Sequence, residues 1–209
     1  MLRDGLASVV GCDEVGRGAL SGPVTVGMVL VTSSSAPAPL GVKDSKLLTA
    51  SSREALVPRI HAWADAWGIG HAAPTEIDSL GIMGAMRLAA TRAYQQLGAD
   101  AGMILLDGNH DYLSAPAQAS LWEEPSQSPD LPPVTTLIKA DMSCASVAAA
   151  SVLAKTARDQ LMRELAGRHP QYGWDVNKGY ASSAHMEALR THGPCEHHRR
   201  SWKLPEVTG

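Results

Sequence analysis

Asp13 and Glu14 stand side by side at the end of the apolar run Ala7-Ser8-Val9-Val10-Gly11-Cys12, and Gly16-Arg17-Gly18 follows one residue later. The run is short, small and β-branched, which predicts a buried strand. Ionised carboxylates at the end of such a strand are costly unless a cation or a hydrogen-bond donor compensates them. The glycines allow backbone N–H groups to approach a ligand closely and permit positive φ. These residue types suit the holding of divalent cations against a phosphodiester. A solvated turn suits them equally well, and on the hexapeptide alone both readings stand. A dinucleotide fingerprint is excluded, because its third glycine would fall at Ser21, with Gly22 one residue late.

Two more acids fall at the ends of predicted strands. Ala101-Gly102-Met103-Ile104-Leu105-Leu106 runs into Asp107-Gly108-Asn109, and Val134-Thr135-Thr136-Leu137-Ile138 leads through Lys139-Ala140 to Asp141. Acids at successive strand ends can converge on one edge of a sheet. Four carboxylates without His or Cys form a hard oxygen donor set, appropriate to Mg²⁺ or Mn²⁺. Two such ions about 3.5–4 Å apart serve phosphodiester hydrolysis. Asp141 also lies just before a helical pattern, so N-capping competes as its role. Asp159, well inside that helix near Lys155 and Arg158, reads as an ion-pair partner. His192, Cys195, His197 and His198 lack a second ligand pair at finger-like spacing, which argues against zinc.

The elements that must position these groups are legible in outline. Residues 24–31 are β-rich and predicted to pair with the first strand, and residues 66–72 read as a third strand. Ser51 and Ser52 are predicted to cap a helix through residue 61, with Pro58 as a kink or a late start. Pro74 to Asp78 reads as a helix entry and 85–97 as a helix. Residues 114–133, with five prolines, read as a surface excursion. From 143 to 165 Val147, Ala150, Ala154, Ala157, Leu161 and Leu165 recur at helical spacing, with Lys155, Arg158, Asp159 and Arg163 on the polar side. Gly167 is predicted to stop that helix, and 183–192 reads as a short one. Strands mixed with helices predict an α/β sandwich around a mixed sheet.

Composition bounds the rest. The chain has 209 residues, 44% hydrophobic and without Phe, enough for one domain and its core. Net charge is −3, but residues 150–209 hold nine Lys/Arg against six Asp/Glu, and the remainder nine against fifteen. An acidic front and a basic tail suit a metal site beside a polyanion surface. Three scattered cysteines argue against a disulfide framework. No signal peptide or membrane span is evident, so a cytoplasmic protein is expected.

Gly11-Cys12-Asp13-Glu14-Val15-Gly16-Arg17-Gly18, Gly22-Pro23-Val24, Lys43-Asp44-Ser45-Lys46-Leu47 and Leu106-Asp107-Gly108-Asn109 resemble the type 2 ribonuclease H family, the bacterial ribonuclease HII group. The resemblance continues through the stretch from Ser146 to Asp159, Gly179-Tyr180, Gly193-Pro194 and His198-Arg199-Arg200-Ser201-Trp202, and so spans nearly the whole chain. It implies a ribonuclease H-like fold, a mixed β-sheet flanked by helices plus a C-terminal helical region. A single catalytic domain over 1–209 is expected, with 167–209 contacting substrate. The implied activity is hydrolysis of RNA in RNA–DNA hybrids and incision 5′ of single ribonucleotides embedded in duplex DNA, giving 3′-hydroxyl and 5′-phosphate ends. The implied setting is ribonucleotide excision repair and DNA replication, with a monomer expected and no membrane partner.

By the same resemblance Asp13, Glu14, Asp107 and Asp141 match the catalytic, metal-binding carboxylates, for two Mn²⁺ or Mg²⁺ ions. Gly16, Arg17 and Gly18 match the turn whose backbone senses the ribose 2′-hydroxyl, the group that distinguishes RNA from DNA. Tyr180 matches a tyrosine that stacks beside the following sugar, and Lys46 a lysine near the phosphate. Arg199 and Arg200 are expected phosphate contacts. Ala140 stands where the family commonly has Gly. A DNA nuclease on the same fold and a non-catalytic hybrid-binding module are the alternatives. The related ribonuclease HIII carries an extra N-terminal domain, for which a motif beginning at residue 13 leaves no room.

Overall fold

The computed structural model describes residues 5–114 and 131–207. Most of the predicted 114–133 excursion lies outside the described residues. Five strands, β1 (Ser8–Val15), β2 (Val24–Thr32), β3 (Ala66–Ala72), β4 (Ile104–Asp107) and β5 (Val134–Leu137), form one sheet in the order β3-β2-β1-β4-β5. β1, β2 and β3 are antiparallel, and β4 and β5 run parallel to β1. The sheet is therefore mixed, with the early strands adjacent as expected.

Alternation along the strands sorts their side chains into two cores. Val10 and Cys12 of β1, Val24, Val26, Met28 and Leu30 of β2, and Ile104 and Leu106 of β4 face helix α2 (Pro74–Leu97). Val29 and Val31 face α1 (Ala50–Trp63) and α4 (Ala145–Arg168), while Val9 and Leu105 meet Val147 of α4. Alanines on α2 and α4 let both helices approach closely, which accommodates a core without Phe. Gly11 marks the point near the acids where strand and helix backbones meet. A Cβ there would lie 2.3 Å from the backbone of Ser146 and Val147, so α4 rests directly on β1.

Several boundaries differ from expectation. β1 continues through Val15, so Asp13 and Glu14 belong to the strand and point to opposite faces. Thr49, not Ser51 or Ser52, caps α1, accepting from the Ser52 N–H, and Pro58 lies inside the helix. α2 absorbs both the expected entry and the expected helix across a kink at Gly81, where φ is 69°. α4 runs past Gly167 to Arg168. A short turn of helix, α3 (Ala140–Ser143), precedes it, and Cys144 occupies the N-cap of α4. Asp141 lies in the first turn of α3 and caps neither helix. Arg158, expected on the polar side of α4, is fully buried.

Beyond α4, the helices α5 (Trp174–Asn177) and α6 (Ser183–His192) build a third core. Tyr172, Trp174 and Leu189 pack there with Leu20, Met162 and Leu165. Among the described residues no helix is long and apolar enough to cross a membrane.

Candidate active site

The register pairs Cys12 with Leu106 across parallel strands, which sets Asp13 and Asp107 level at the C-terminal ends of β1 and β4. Asp107 in turn pairs with Leu137 of β5. Its carboxylate accepts the Ala140 N–H at 2.7 Å and so pins the start of α3, which carries Asp141. Lys139, between β5 and α3, adopts left-handed backbone with φ 58°, an uncommon conformation for a non-glycine residue and one that turns the chain sharply here. Three parallel strand ends thus bring Asp13, Glu14, Asp107 and Asp141 to one edge of the sheet.

The electrostatics report the same convergence. Asp13 is buried, and burial pushes its carboxyl up to about 7; the Ser151 hydroxyl opposes this, while Glu14 and Asp107 add to it. Burial likewise raises Glu14, against a 3.3 Å hydrogen bond from the Tyr112 hydroxyl and the charge of Arg17. Burial raises Asp141, with Asp107 and Asp44 reinforcing it. Lys46 answers them: desolvation works against its charge, yet Asp44, Asp13, Asp141 and Asp107 hold its ammonium above the usual lysine range.

Buried carboxylates that raise one another, faced by the exposed side chains of Lys46 and Arg17, lack buried compensating positive charge. An all-oxygen donor set in that condition fits a divalent hard cation. The four acids are not drawn into one tight cage. Among the described residues, the trio whose ligand atoms all lie within 4.8 Å of one another is His169, Glu196 and His197. The His192, Cys195, His197 and His198 set does not assemble. His198 is buried, with its ring bonded to Cys195 and to His185.

Gly16-Arg17-Gly18 forms a turn directly after β1. Gly16 has φ 85°, and a Cβ on it would meet the Arg158 Nε at 2.1 Å, so both backbone and space require glycine. A Cβ on Gly18 would meet nothing within 4 Å, so the fold does not demand glycine there. The Gly179 carbonyl accepts from the Leu20 and Ser21 N–H groups, fastening the Tyr180 segment to this turn. Tyr180 is 38% exposed, with the Arg158 guanidinium 5.6 Å from its ring centre.

Arg199 requires a correction. It was expected to meet phosphate, but it is 0% exposed and its guanidinium is spent on the carbonyls of Gly16, Arg17 and Gly22. Arg200 is exposed, with its backbone N–H held by Asp78. Asp159 is the ion-pair residue expected of it, bonded to Lys155 at 2.6 Å and Arg53 at 3.3 Å. Arg158 does not join that network.

Three contributors were missed. Ser151, hydrogen-bonded to Ser45 at 2.8 Å, supports Asp13, and Tyr112 reaches Glu14 across the α2-side core. Asp44 accepts the Lys46 N–H and faces Asp141, so the Lys43-Asp44-Ser45-Lys46 stretch borders the acids. The signal for Asp44 was its place within that motif. Nothing local marked Tyr112.

The family model for ribonuclease HII matches residues 10–205. Ribonuclease HII of Streptomyces coelicolor is 46% identical over 198 residues, covering 95% of this chain and 78% of the relative. The crystal structure of ribonuclease H2 from Pyrococcus horikoshii OT3 superposes with TM-score 0.69 at 25% identity, covering 94% of each chain. That of Bst-RNase HIII in complex with Mn²⁺ gives 0.64 at 22% identity, covering 92% of this chain and 66% of the other.

Proposed function

The chain belongs to the ribonuclease HII family, and on that premise we propose that it incises duplex DNA on the 5′ side of single embedded ribonucleotides, leaving 3′-hydroxyl and 5′-phosphate ends. Membership makes it a ribonuclease H with the ribonuclease H-like fold, a divalent-metal-dependent hydrolase that cleaves the RNA strand of RNA–DNA hybrids. The observation that carries the finer reading is the Gly16-Arg17-Gly18 turn beside Asp13 and Glu14, with open space at Gly18. A backbone that can approach closely next to the reacting phosphate is suited to sensing one 2′-hydroxyl.

Asp13, Glu14, Asp107 and Asp141 would hold two Mg²⁺ or Mn²⁺ ions, which when bound activate a water and stabilise the leaving oxygen. The chain's other groups orient the substrate. Lys46, exposed among the acids, offers its ammonium to a phosphate oxygen. Tyr180 offers an exposed ring to the sugar that follows the ribonucleotide. Ser151 and Tyr112 hold Asp13 and Glu14 in position on the two faces of β1. Arg200 is available to the backbone farther along. All these groups come from one chain, so the reading needs no second copy.

Gly18→Ala tests it. With nothing within 4 Å of the new methyl, the variant is expected to melt like the parent protein. Against a labelled duplex carrying one ribonucleotide, the methyl enters the space where the sugar must come, and kcat/KM is expected to fall about tenfold or more. Unchanged incision of that duplex by the variant would contradict the proposed role of the turn.

A further inference from the structure

Arg158 and Arg199 are both 0% exposed, and burial, with the nearby Arg158 adding to it, lowers the Arg199 guanidinium to about 9. Among the described residues neither forms an ion pair. Two buried guanidiniums without a carboxylate are an expensive choice for a core, where apolar residues of similar size would cost less. Their hydrogen bonds have a common destination. Arg158 donates to the carbonyls of Ser21 and Pro23 at 3.1 and 2.8 Å, and to Lys178 at 2.9 Å. Arg199 donates to Gly16 at 2.6 Å, Arg17 at 2.9 Å, and Gly22 at 3.1 and 3.3 Å. Apart from Lys178, every acceptor belongs to the loop from Gly16 to Pro23.

The Gly16 and Arg17 carbonyls decide what the loop presents. In a trans peptide the C=O and the N–H of one plane point in opposite directions. The Gly16 carbonyl shares its plane with the Arg17 N–H, and the Arg17 carbonyl shares the next with the Gly18 N–H. Both carbonyls point into the Arg199 guanidinium, so both N–H groups point away from it. No acceptor among the described residues receives either of them. Adjacent N–H groups on one side of a turn form a concavity for an oxygen lone pair.

We propose that Arg199 is the positioning residue of this turn: its guanidinium fork locks two successive peptide planes so that the Arg17 and Gly18 N–H groups face the ribose hydroxyl. The inference rests on the proposed reading of the turn as the hydroxyl sensor. Arg158 is the second member of the clamp, tying the far side of the loop to the segment that carries Tyr180. Trp202 stacks on Arg199, its ring centre 5.0 Å from the guanidinium carbon, and holds the fork in plane.

Arg199→Lys keeps the charge but not the fork, because a single ammonium cannot reach the Gly16, Arg17 and Gly22 carbonyls together. Trp202→Ala keeps every carbonyl bond and removes only the stacked ring. Both are assayed beside the parent protein, with melting curves, on a duplex carrying one ribonucleotide and on a uniform RNA–DNA hybrid of the same sequence. The single ribonucleotide offers one hydroxyl in one register, whereas the hybrid offers one at every position.

For Arg199→Lys, kcat on the single-ribonucleotide duplex is expected to fall about tenfold with KM within about threefold, and kcat on the hybrid to fall less than about threefold. Trp202→Ala is expected to shift the same ratio by about twofold to threefold. Equal losses on both substrates, or none, in a folded Arg199→Lys protein would overturn the proposal. If that variant does not fold, an unchanged ratio in Trp202→Ala overturns it. A parent protein that cleaves the hybrid but leaves the single-ribonucleotide duplex intact instead removes the reading beneath it, and the proposal with it.

Discussion

Asp13→Asn is expected to reduce cleavage roughly a thousandfold at saturating Mn²⁺, the loss of several kcal/mol of transition-state stabilisation. It is also expected to make the metal-free protein more stable above neutral pH. The first effect is the loss of a charged metal ligand, and the second comes from burial of the charge. Burial, reinforced by Glu14 and Asp107, raises the Asp13 carboxyl from 3.8 to about 7. The fold thus favours the neutral acid more than the unfolded chain does. Its contribution to stability is fully present below pH 3.8 and is lost as pH rises through about 7. At about 1.4 kcal/mol per unit, the ionised Asp13 costs the metal-free fold on the order of 2–4 kcal/mol at pH 8. Asparagine has no charge to bury. In EDTA at pH 8 the variant is expected to melt about 5–10 °C above the parent protein, and the gap is expected to close near pH 4. Mn²⁺ should raise the melting temperature of the parent and much less that of the variant. Melting curves at the two pH values, with and without Mn²⁺, check this. A pH-independent gap would separate Asp13 from the buried-charge account.

Gly11→Ala is expected to be the most damaging small substitution near the site. Its Cβ would sit 2.3 Å from the Ser146 carbonyl carbon and the Val147 nitrogen, atoms of a helix backbone that no rotamer change can move. α4 must then lift from β1, and with it Ser151, which supports Asp13. Overpacking of this kind costs about 3 kcal/mol, or about 6–12 °C in melting temperature for a chain of this length. Activity at 25 °C should fall along with stability, because the separation of strand and helix sets the position of Asp13. Gly18→Ala, the same chemical change seven residues later, is expected to leave melting untouched. A Gly11→Ala protein that melts with the parent would mean that α4 does not rest on the strand as described.

The sheet was readable because its strands are short apolar runs that end in acids, and the pattern of burial alternation is local. β3 matches its predicted limits, and α6 likewise. Asp13 and Glu14 look like the end of the first strand, whereas β1 continues to Val15 because Thr25 of β2 still pairs with it. The extent of α2 was hidden by Gly81, whose positive φ joins two helical segments across a kink. Least legible were the two arginines. Arg158 looks like a surface residue from its helix spacing, and Arg199 looks like part of a basic tail. Apart from Lys178, their partners are carbonyls more than a hundred residues away in sequence, and a carbonyl leaves no mark in a residue pattern. Tyr112 was missed for the same reason, since its contact with Glu14 spans 98 residues.

Asp13, Glu14, Asp107 and Asp141 are expected to act as one cation site. Mn²⁺ titration by calorimetry, on the parent protein and on Asp13→Asn, Glu14→Gln, Asp107→Asn and Asp141→Asn, measures that directly. Each substitution is expected to weaken Mn²⁺ binding about tenfold or more, since each removes a charged oxygen ligand. Parent-like Mn²⁺ affinity in the four variants, or in Asp141→Asn alone with cleavage intact, would contradict it.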